Sequence, residues 1–176
     1  GGLVSVGSVF GAADEDEVKS LPGWDDNLPS KMYSGFVDAM KGQHIHYVHV
    51  EATDVDPKTA PLVLWSNGGP GATSLIGWMG ELGTFNLDDS SLAGNPTVPK
   101  LRRNPWAWSR LANMVYFEHP AGVGASYCDF AEACEANDTT AGETLSLSIQ
   151  GFYDKFPEYS GREFYMIGES YAGIYI

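Results

Sequence analysis

A serine between small residues, directly after an apolar run, is the feature that most restricts the fold of this chain. Residues 164–167 are apolar and aromatic, as in a β-strand, and Gly168, Ser170, Ala172 and Gly173 follow. This pattern is typical of a nucleophile elbow, a sharp strand–turn–helix that exposes a serine hydroxyl at a sheet edge. Small residues are needed because the turn brings two backbones close together. Ser170 is therefore a candidate nucleophile, although Ala172 stands where the pattern asks for glycine. The alternative is an ordinary strand before a turn.

A second glycine-rich loop follows another buried strand. Residues 61–65 form a continuous apolar run, as expected for a strand that is buried on both faces. The sequence Ser-Asn-Gly-Gly-Pro-Gly (66–71) comes next. So many glycines indicate a backbone with unusual dihedral angles, or one that lies against a ligand. In an α/β-hydrolase, the loop after the third strand supplies one N–H group of the oxyanion hole.

The other predicted strands show where the glycine-rich loop and the turn at Ser170 fall in the strand order. Residues 33–39 and 45–50 predict an antiparallel hairpin, and residues 114–118 predict a further apolar strand. The glycine-rich loop therefore follows the third predicted strand, and Ser170 follows the fifth. This order predicts an α/β-hydrolase fold, with a mixed, mostly parallel sheet and helices on both faces, truncated after the nucleophile elbow.

Helices and a turn are predicted between these strands. The apolar spacing in residues 145–156 predicts a helix with one buried stripe, ended by Pro157. The sequence Thr-x-x-Glu at 140–143 predicts a capping box at its start. Residues 72–82 predict a second helix, and the tryptophan-rich residues 104–108 predict a turn packed under a loop.

Composition restricts the class of protein and its partners. The 176 residues are enough for one sizeable core, and 43% hydrophobic content with 12% aromatic residues indicates a packed globule. The 23 acidic and 10 basic residues give a net charge of −13. This charge argues against nucleic acid and anionic membrane surfaces as partners. No apolar run is long enough to span a membrane.

Three features indicate the secretory pathway. The first residues are apolar and small ahead of an acidic stretch, like the end of a signal peptide. We assign residues 1–20 to a signal-peptide remnant or disordered N-terminus, and residues 21–176 to the N-terminal part of the folded domain. Cys128 and Cys134 form either a local disulfide or two free thiols. Asn137 begins a glycosylation sequon. We expect a vacuolar, lysosomal or extracellular protein.

The histidines do not follow a metal-binding pattern. His44 and His46 share one face of the predicted hairpin, but no third ligand accompanies them. Zinc sites usually combine four Cys or His ligands, or three with a water. We interpret the pair as surface residues. The sequence predicts neither a metal site nor a cofactor.

With these residues in view, the chain resembles the serine carboxypeptidases, an α/β-hydrolase family of vacuoles, lysosomes and the extracellular space. The matching segments run in the family's order from about residue 21 onwards. They are Tyr-Ser-Gly-Phe (33–36), Pro-Leu-Val-Leu-Trp-Ser-Asn-Gly-Gly-Pro-Gly (61–71), Glu-Leu-Gly (81–83), Asn-Pro-Trp-Ala-Trp (104–108), Pro-Ala-Gly-Val-Gly (120–124), Ser-Tyr (126–127), Phe-Pro-Glu (156–158) and Gly-Glu-Ser-Tyr-Ala-Gly (168–173).

The resemblance implies an enzyme that releases C-terminal residues from peptides through an acyl-enzyme. Carried over by position, Ser170 is its nucleophile, and the backbone N–H groups of Gly69 and Tyr171 form the oxyanion hole. The expected substrate is a peptide with a free C-terminus.

The resemblance also implies a site for the terminal carboxylate of that peptide. Asn67, the N–H group of Gly68 and Glu169 would bind the carboxylate, with Glu81 close to Glu169. An ionised Glu169 would repel this anion, whereas a protonated Glu169 would donate a hydrogen bond to it.

The chain departs from the family pattern in several loops. Ala72-Thr73 replaces the family's Cys-Ser, which implies that a disulfide to a later part of the chain is missing. The other departures are Thr84, Glu118, His119 and Ala125. These departures affect loop contacts rather than the chemistry.

No residue that the family uses as catalytic base is present. A serine hydroxyl is a poor nucleophile unless a base removes its proton. The family's catalytic Asp and His lie downstream of the elbow, and this chain ends six residues after Ser170. His119 lies at the correct edge of the predicted sheet, but the family does not use that position.

We therefore expect an N-terminal fragment that is inactive alone. Its base would lie in the missing C-terminal part of the same protein, possibly as a second chain. Two alternatives remain open. One is a serine carboxypeptidase-like acyltransferase, in which an alcohol accepts the acyl group. The other is a catalytically inactive binding subunit.

Overall fold

The computed structural model describes residues 13–94 and 97–176. The predicted signal-peptide remnant falls mostly on residues 1–12, outside the described part. The strands are β1 (Met32–Asp38), β2 (Gln43–Val50), β3 (Leu62–Ser66), β4 (Phe85–Asn86), β5 (Arg102–Arg103), β6 (Asn113–Phe117), β7 (Tyr127–Cys128) and β8 (Phe164–Gly168). The α-helices are α1 (Asp138–Lys155) and α2 (Ala172–Tyr175).

Six of the strands form one mixed sheet. Five follow the order β1-β2-β6-β3-β8, and β7 pairs with β2. The pairs β1–β2 and β2–β6 are antiparallel, whereas β6–β3 and β3–β8 are parallel. Parallel strands need long crossover connections, and α1 lies in the connection from β6 to β8, which passes over β3. The mixed sheet of an α/β-hydrolase fold is confirmed, and the C-terminal ends of β3, β6 and β8 lie at one edge.

Helix α1 covers one face of the sheet with the predicted apolar stripe. Leu145, Phe152 and Phe156 are fully buried there, against strand residues such as Tyr47 and Leu64. The helix ends before Pro157, as predicted, because proline cannot continue the hydrogen-bond ladder.

The predicted cap of α1 is wrong by one helical turn. Asn137 is the N-cap, and its Oδ1 accepts a hydrogen bond of 3.0 Å from the Thr140 N–H. The Thr140 hydroxyl accepts in return from the Asn137 N–H, at 2.9 Å. Asparagine is as good an N-cap as threonine, so the helix begins earlier and Thr140 becomes the third residue of the box.

The other face of the sheet is covered by a short helical turn and loops. Trp78, Leu82 and Phe85 pack there against Val63 and Tyr116. The helix predicted over residues 72–82 is wrong in extent, because the structure has a π-helical turn only at Gly77–Glu81. Gly77 at the start of this turn lies against β3, where a Cβ would be 2.2 Å from Trp65 Nε1.

The hairpin of β1 and β2 is confirmed, but its histidines are not all surface residues. His44 and His46 do share a face, since they pair with Asp38 and Phe36 of β1. His46 is buried and bonded to other side chains, so its interpretation as a surface residue is wrong. The sequence pattern of β2 does not show that the carboxylate of Glu118 lies against His46.

The tryptophan-rich turn is also more open than predicted. Trp106 is 81% exposed and Trp108 is 38% exposed. A groove of about 460 Å³ runs beside them, lined by Val63, Leu111, Met114 and neighbouring residues. The turn therefore packs at the border of the apolar face rather than beneath a loop.

Two further contacts fix the periphery of the domain. Cys128 and Cys134 form a local disulfide, which settles the alternatives left open by the sequence. Asp16 accepts a hydrogen bond of 2.6 Å from the Tyr47 hydroxyl and pairs with Lys155, so residues 14–16 belong to the packed domain. Within the described residues, no helix combines the length and apolar character needed to cross a membrane.

Candidate active site

The backbone at Ser170 has the strained geometry of a nucleophile elbow. Its φ is +53°, and no other described residue except glycine has a positive φ. The turn joins β8 to α2, and a Cβ on Gly168 would lie 2.6 Å from Ala172 Cβ and 2.7 Å from Ser66 O. Left-handed backbone in a non-glycine residue costs energy, and such strain is concentrated at functional sites. Ser170 is exposed at this turn.

The glycine-rich loop lies directly against the elbow. A Cβ on Gly68 would lie 2.5 Å from the Tyr171 nitrogen and 2.7 Å from the Glu169 oxygen. The loop continues through Gly69 and Gly71, which have φ values of +108° and +82°. The close packing of the two backbones explains why glycine is needed here.

Several backbone N–H groups at this contact have no partner within the described residues, and those of Gly69 and Tyr171 are among them. Neither the Gly69 nor the Tyr171 N–H donates a hydrogen bond to another group in the described part of the chain. Gly69 is exposed and Tyr171 is partly exposed, so both N–H groups are accessible to an acceptor that binds beside Ser170. They are the donors that an oxyanion would need.

Asn67 joins the glycine-rich loop to the elbow. Its Oδ1 accepts hydrogen bonds from Trp65 Nε1 at 2.8 Å and from the Gly77 N–H at 3.1 Å. These donors fix the amide orientation, so that Nδ2 donates to Glu169 Oε1 at 3.0 Å. Asn67 is buried and Glu169 is exposed at the same sheet edge.

Glu81 is less closely tied to this group. Its side chain is exposed, and no hydrogen bond joins it to Glu169 within the described residues. Its backbone oxygen accepts from Asn104 Nδ2, which connects two of the segments that resemble the family. The proximity of Glu81 to Glu169 stays a prediction.

Tyr175 is a site residue that the sequence analysis missed. Its hydroxyl accepts a hydrogen bond of 3.0 Å from the Gly71 N–H. Its ring packs against His119 and Tyr171, with centroids 4.9 and 5.4 Å away. A tyrosine one turn after the elbow serine was the available signal, because α2 packs back towards the loop.

His119 does not act on Ser170 in this arrangement. It is buried, and its Nε2–H donates to the Ala141 oxygen at 2.7 Å. Burial lowers the pKa of His119 to about 4. The Ser170 hydroxyl makes no hydrogen bond within the described residues, so none of them serves as its base. Nor do those residues contain a group of His, Cys, Asp or Glu side chains able to hold a metal ion.

Comparison with known proteins identifies the family. A model described as serine carboxypeptidase matches residues 22–176. The lysosomal protective protein of Mus musculus is 42% identical over 165 residues, which cover 94% of this chain and 33% of that protein. Serine carboxypeptidase 1 of Hordeum vulgare is 40% identical over 162 residues, which cover 91% of this chain and 32% of that protein.

A solved structure supports the fold independently. Kex1(Δ)p, a prohormone-processing carboxypeptidase from Saccharomyces cerevisiae, superposes with a TM-score of 0.78 at 23% identity. The alignment covers 94% of this chain and 37% of the yeast chain. This chain spans about a third of the length of the curated relatives that it matches. Because the family model matches most of this chain, the chain belongs to the serine carboxypeptidase family.

Proposed function

We propose that the complete protein is a serine-type carboxypeptidase that releases C-terminal residues from peptides. Ser170 Oγ attacks the carbonyl carbon of the last peptide bond, and a base takes the hydroxyl proton. The C–N bond then breaks, and the released amine leaves with that proton. Water hydrolyses the resulting ester and restores Ser170.

The base and its orienting carboxylate lie outside residues 1–176 in this proposal. The absence of a base beside Ser170 in the described residues supports this assignment, as does the much greater length of the relatives. The missing groups come from the C-terminal part of the same protein, either in one chain or as a second chain.

The oxyanion of the tetrahedral intermediate is bound by the N–H groups of Gly69 and Tyr171. Both are free to donate within the described residues, and the Gly68 contact brings their two segments together. Such donors act mainly on the charge that develops in the transition state, and removing one typically costs about 10²–10³ in kcat.

The free C-terminus of the peptide binds beside the serine. Asn67 and the Gly68 N–H supply donors, and Glu169 adds one when it is protonated. Because Asn67 Nδ2 donates to Glu169 Oε1, the other carboxyl oxygen is left to carry that proton. Glu81 completes this site as the second carboxyl group.

The single observation that carries the proposal is the strained Ser170 under a glycine-rich loop. To test it, the complete protein is treated with a fluorophosphonate, and the labelled residue is identified by peptide mapping. We expect one label on Ser170, and Ser170→Ala should abolish both labelling and hydrolysis of a blocked dipeptide.

Ser34 provides the matched control for this experiment. Its hydroxyl is 2.9 Å from His46 Nε2, so Ser34 is a serine that already has a histidine partner. Ser34→Ala should retain the labelling. A label on Ser34, or hydrolysis by the Ser170→Ala protein, would show that the proposed nucleophile is wrong.

The proposed compartment is the secretory pathway, with a vacuolar, lysosomal or extracellular destination. The Cys128–Cys134 disulfide supports it, because disulfides persist in oxidising compartments. The sequon residue Asn137 is exposed, and its Nδ2 is free for a glycan because only Oδ1 is used in the helix cap. The mouse relative is named as lysosomal.

A further inference from the structure

The outer half of the glycine-rich loop needs contacts to hold its shape. Gly69, Pro70 and Gly71 have no side chain that enters the core, and glycine loses more conformational freedom on ordering than other residues. Two hydrogen bonds close the loop on itself. They run from Ala72 N to Gly68 O at 3.0 Å and from Asn67 N to Ser74 Oγ at 3.2 Å.

Two side chains outside the loop anchor it to the rest of the domain. One is Tyr175, which accepts from the Gly71 N–H. The other is Glu118, whose Oε1 accepts a short hydrogen bond from the Thr73 hydroxyl. Thr73 Oγ1 also accepts from the Leu75 N–H at 3.2 Å, so Thr73 connects the loop to the following turn.

Glu118 is itself held in one position by groups from two other segments. It is 1% exposed, and its Oε2 accepts from the Ala125 N–H at 2.7 Å and from His46 Nδ1 at 3.1 Å. A Cβ on Gly124 would lie 1.7 Å from Oε1, so glycine at that position leaves space for the carboxylate.

His46 extends these contacts to the hairpin. With Nδ1–H donating to Glu118, its Nε2 accepts from the Ser34 hydroxyl at 2.9 Å in the neutral imidazole. The His46 N–H donates to Ser126 Oγ at 2.8 Å, and that hydroxyl donates to the Glu118 backbone oxygen at 2.6 Å. The carboxylate of Glu118 itself accepts hydrogen bonds from three groups, which are the Thr73 hydroxyl, the Ala125 N–H and His46 Nδ1.

We propose that Glu118, oriented by His46, is a positioning residue that holds the glycine-rich loop through Thr73 in its oxyanion-binding geometry. This inference rests on the proposed function, in which the Gly69 N–H binds the oxyanion. Hydrogen bonds to an ionised acceptor are roughly twice as strong as neutral ones, which suits a carboxylate to this role. Burial acts to raise the pKa of Glu118, but the hydrogen bonds from His46, Thr73 and Ala125 outweigh it and lower the pKa.

The expected effect is on kcat rather than on KM. The oxyanion charge develops in the transition state that leads to the tetrahedral intermediate and is absent from the bound substrate. An imprecisely held donor therefore weakens transition-state binding and leaves substrate binding nearly unchanged. A residue that merely stabilises the fold would instead change the melting temperature and the yield of active protein.

The test uses Thr73→Val in the complete protein, which removes the hydroxyl and keeps the shape. We expect kcat for a blocked dipeptide and the rate of fluorophosphonate labelling to fall about tenfold, with KM within about twofold. Thr73→Ser keeps the hydroxyl and should retain at least about half of both rates. Thr59→Val, which changes an exposed threonine elsewhere, is the matched control.

Glu118→Gln separates the carboxylate contact from the local turn. It leaves the Thr73–Leu75 bond in place but weakens the acceptor, so kcat should fall in the same way. Unchanged kcat in Glu118→Gln, or equal losses in Thr73→Val and Thr73→Ser, would overturn the inference.

Hydrogen exchange keeps the inference testable if the protein is not a carboxypeptidase. Amides in residues 67–75 should exchange faster in Thr73→Val than in Thr73→Ser, whatever reaction is catalysed. A wild-type protein without Ser170 labelling would refute the proposed function alone. Equal exchange in the two variants would refute the anchoring by Glu118.

Discussion

At the scale of single residues, Gly68 has no room for a side chain. Its missing Cβ would meet the backbone of Tyr171 and Glu169 at 2.5 and 2.7 Å, and backbone atoms cannot rotate away. We expect Gly68→Ala to lower the labelling rate of Ser170 by at least about tenfold, because overpacking costs typically about 1–3 kcal/mol. Gly80→Ala is the control, since its added Cβ would have no atom from elsewhere in the described part of the chain within 4 Å. Equal labelling of both variants would contradict this packing.

The proposed carboxylate site depends on an uncharged donor at Asn67. Asn67→Asp keeps the oxygen that accepts from Trp65 and Gly77, but it replaces the donor facing Glu169 with an anion. We expect KM for a peptide with a free C-terminus to rise at least about tenfold, because like charges repel.

The same peptide with a C-terminal amide is the matched substrate for Asn67→Asp. Its KM should change by less than about threefold, since it carries no terminal charge. If KM rises equally for the acid and the amide, this carboxylate site is assigned to the wrong residues.

His49 makes the stability of the fold depend on pH. Burial lowers its pKa from 6.5 to about 4, although its Nδ1–H donates to the Met114 oxygen and its Nε2 accepts from the Tyr159 hydroxyl. Because the folded-state pKa is the lower one, the unfolded state binds the proton first as pH falls. Stability is therefore lost between pH of about 6.5 and about 4.

For this one histidine, the loss between about pH 7 and about pH 5 is about 2 kcal/mol. The urea midpoint of the complete protein, measured at both pH values, reports it. In His49→Gln the midpoint should shift less between the two pH values, even if its overall stability is lower. An unchanged shift would mean that the pKa of His49 is the same in the folded and the unfolded protein.

At the scale of secondary-structure elements, the start of α1 combines a cap with a sequon. Asn137 uses only its oxygen for the cap, so a glycan on Nδ2 leaves the helix intact. We expect the complete protein, expressed through the secretory pathway, to lose mass on treatment with an endoglycosidase. Asn137→Asp keeps the capping oxygen, and Thr139→Ala keeps Asn137 itself, and both should abolish that shift.

Removal of the N-cap of α1 should lower the stability of the protein in addition to preventing glycosylation. Asn137→Ala should also lose the glycan, but in addition it should cost about 1 kcal/mol of stability. The comparison is made in unglycosylated protein by thermal melting. A melting temperature in Asn137→Ala equal to that in Asn137→Asp would show that the cap does not contribute.

The elements that the sequence predicted correctly are those with a local cause. The hairpin, β3, β6, α1 and the elbow follow from alternation, apolar runs, a helical stripe and small residues around Ser170. The error at His46 arose because a distant group, Glu118 just after β6, lies against it. The cap of α1 was misplaced for a local reason, because Asn137 competes with Thr140 as the N-cap.

In the candidate site, too, the sequence predicted only the features that lie in one continuous segment. Ser170 and the glycine-rich loop were visible as motifs, because each is a continuous segment. Thr73 has no such signature, and the position of Tyr175 after the elbow serine does not show its role, since both roles depend on which backbone atom or carboxylate lies opposite. Hydrogen bonds between segments separated by tens of residues are not encoded in any local pattern.

At the scale of the whole molecule, β8 is bonded to β3 on one side only within the described residues. Open strand edges and large apolar patches promote association. Residues 1–176 expressed alone should aggregate or bind a hydrophobic dye, and should not hydrolyse peptides. The exposed apolar residues in this region include Trp106, Leu111, Tyr165, Ile167, Ile174 and Ile176.

A charge on that edge should reduce the association. Ile167→Lys places a positive side chain on β8, where Ile167 is 36% exposed. Size-exclusion chromatography with light scattering compares it with the unmodified fragment. A monodisperse, cooperatively melting monomer from the unmodified fragment would show that the edge does not drive association.

The register between β3 and β8 determines how Ser170 is aligned with the N–H donors of the glycine-rich loop. Ser66 pairs with Gly168, so Gly68 and Ser170 each stand two residues beyond the last matched pair. If β8 slid by one residue along β3, the serine would move by about 3.3 Å relative to the loop donors, and its strand faces would exchange. Mutations that inactivate such an enzyme without unfolding it are therefore expected where they let these two neighbouring strands slip.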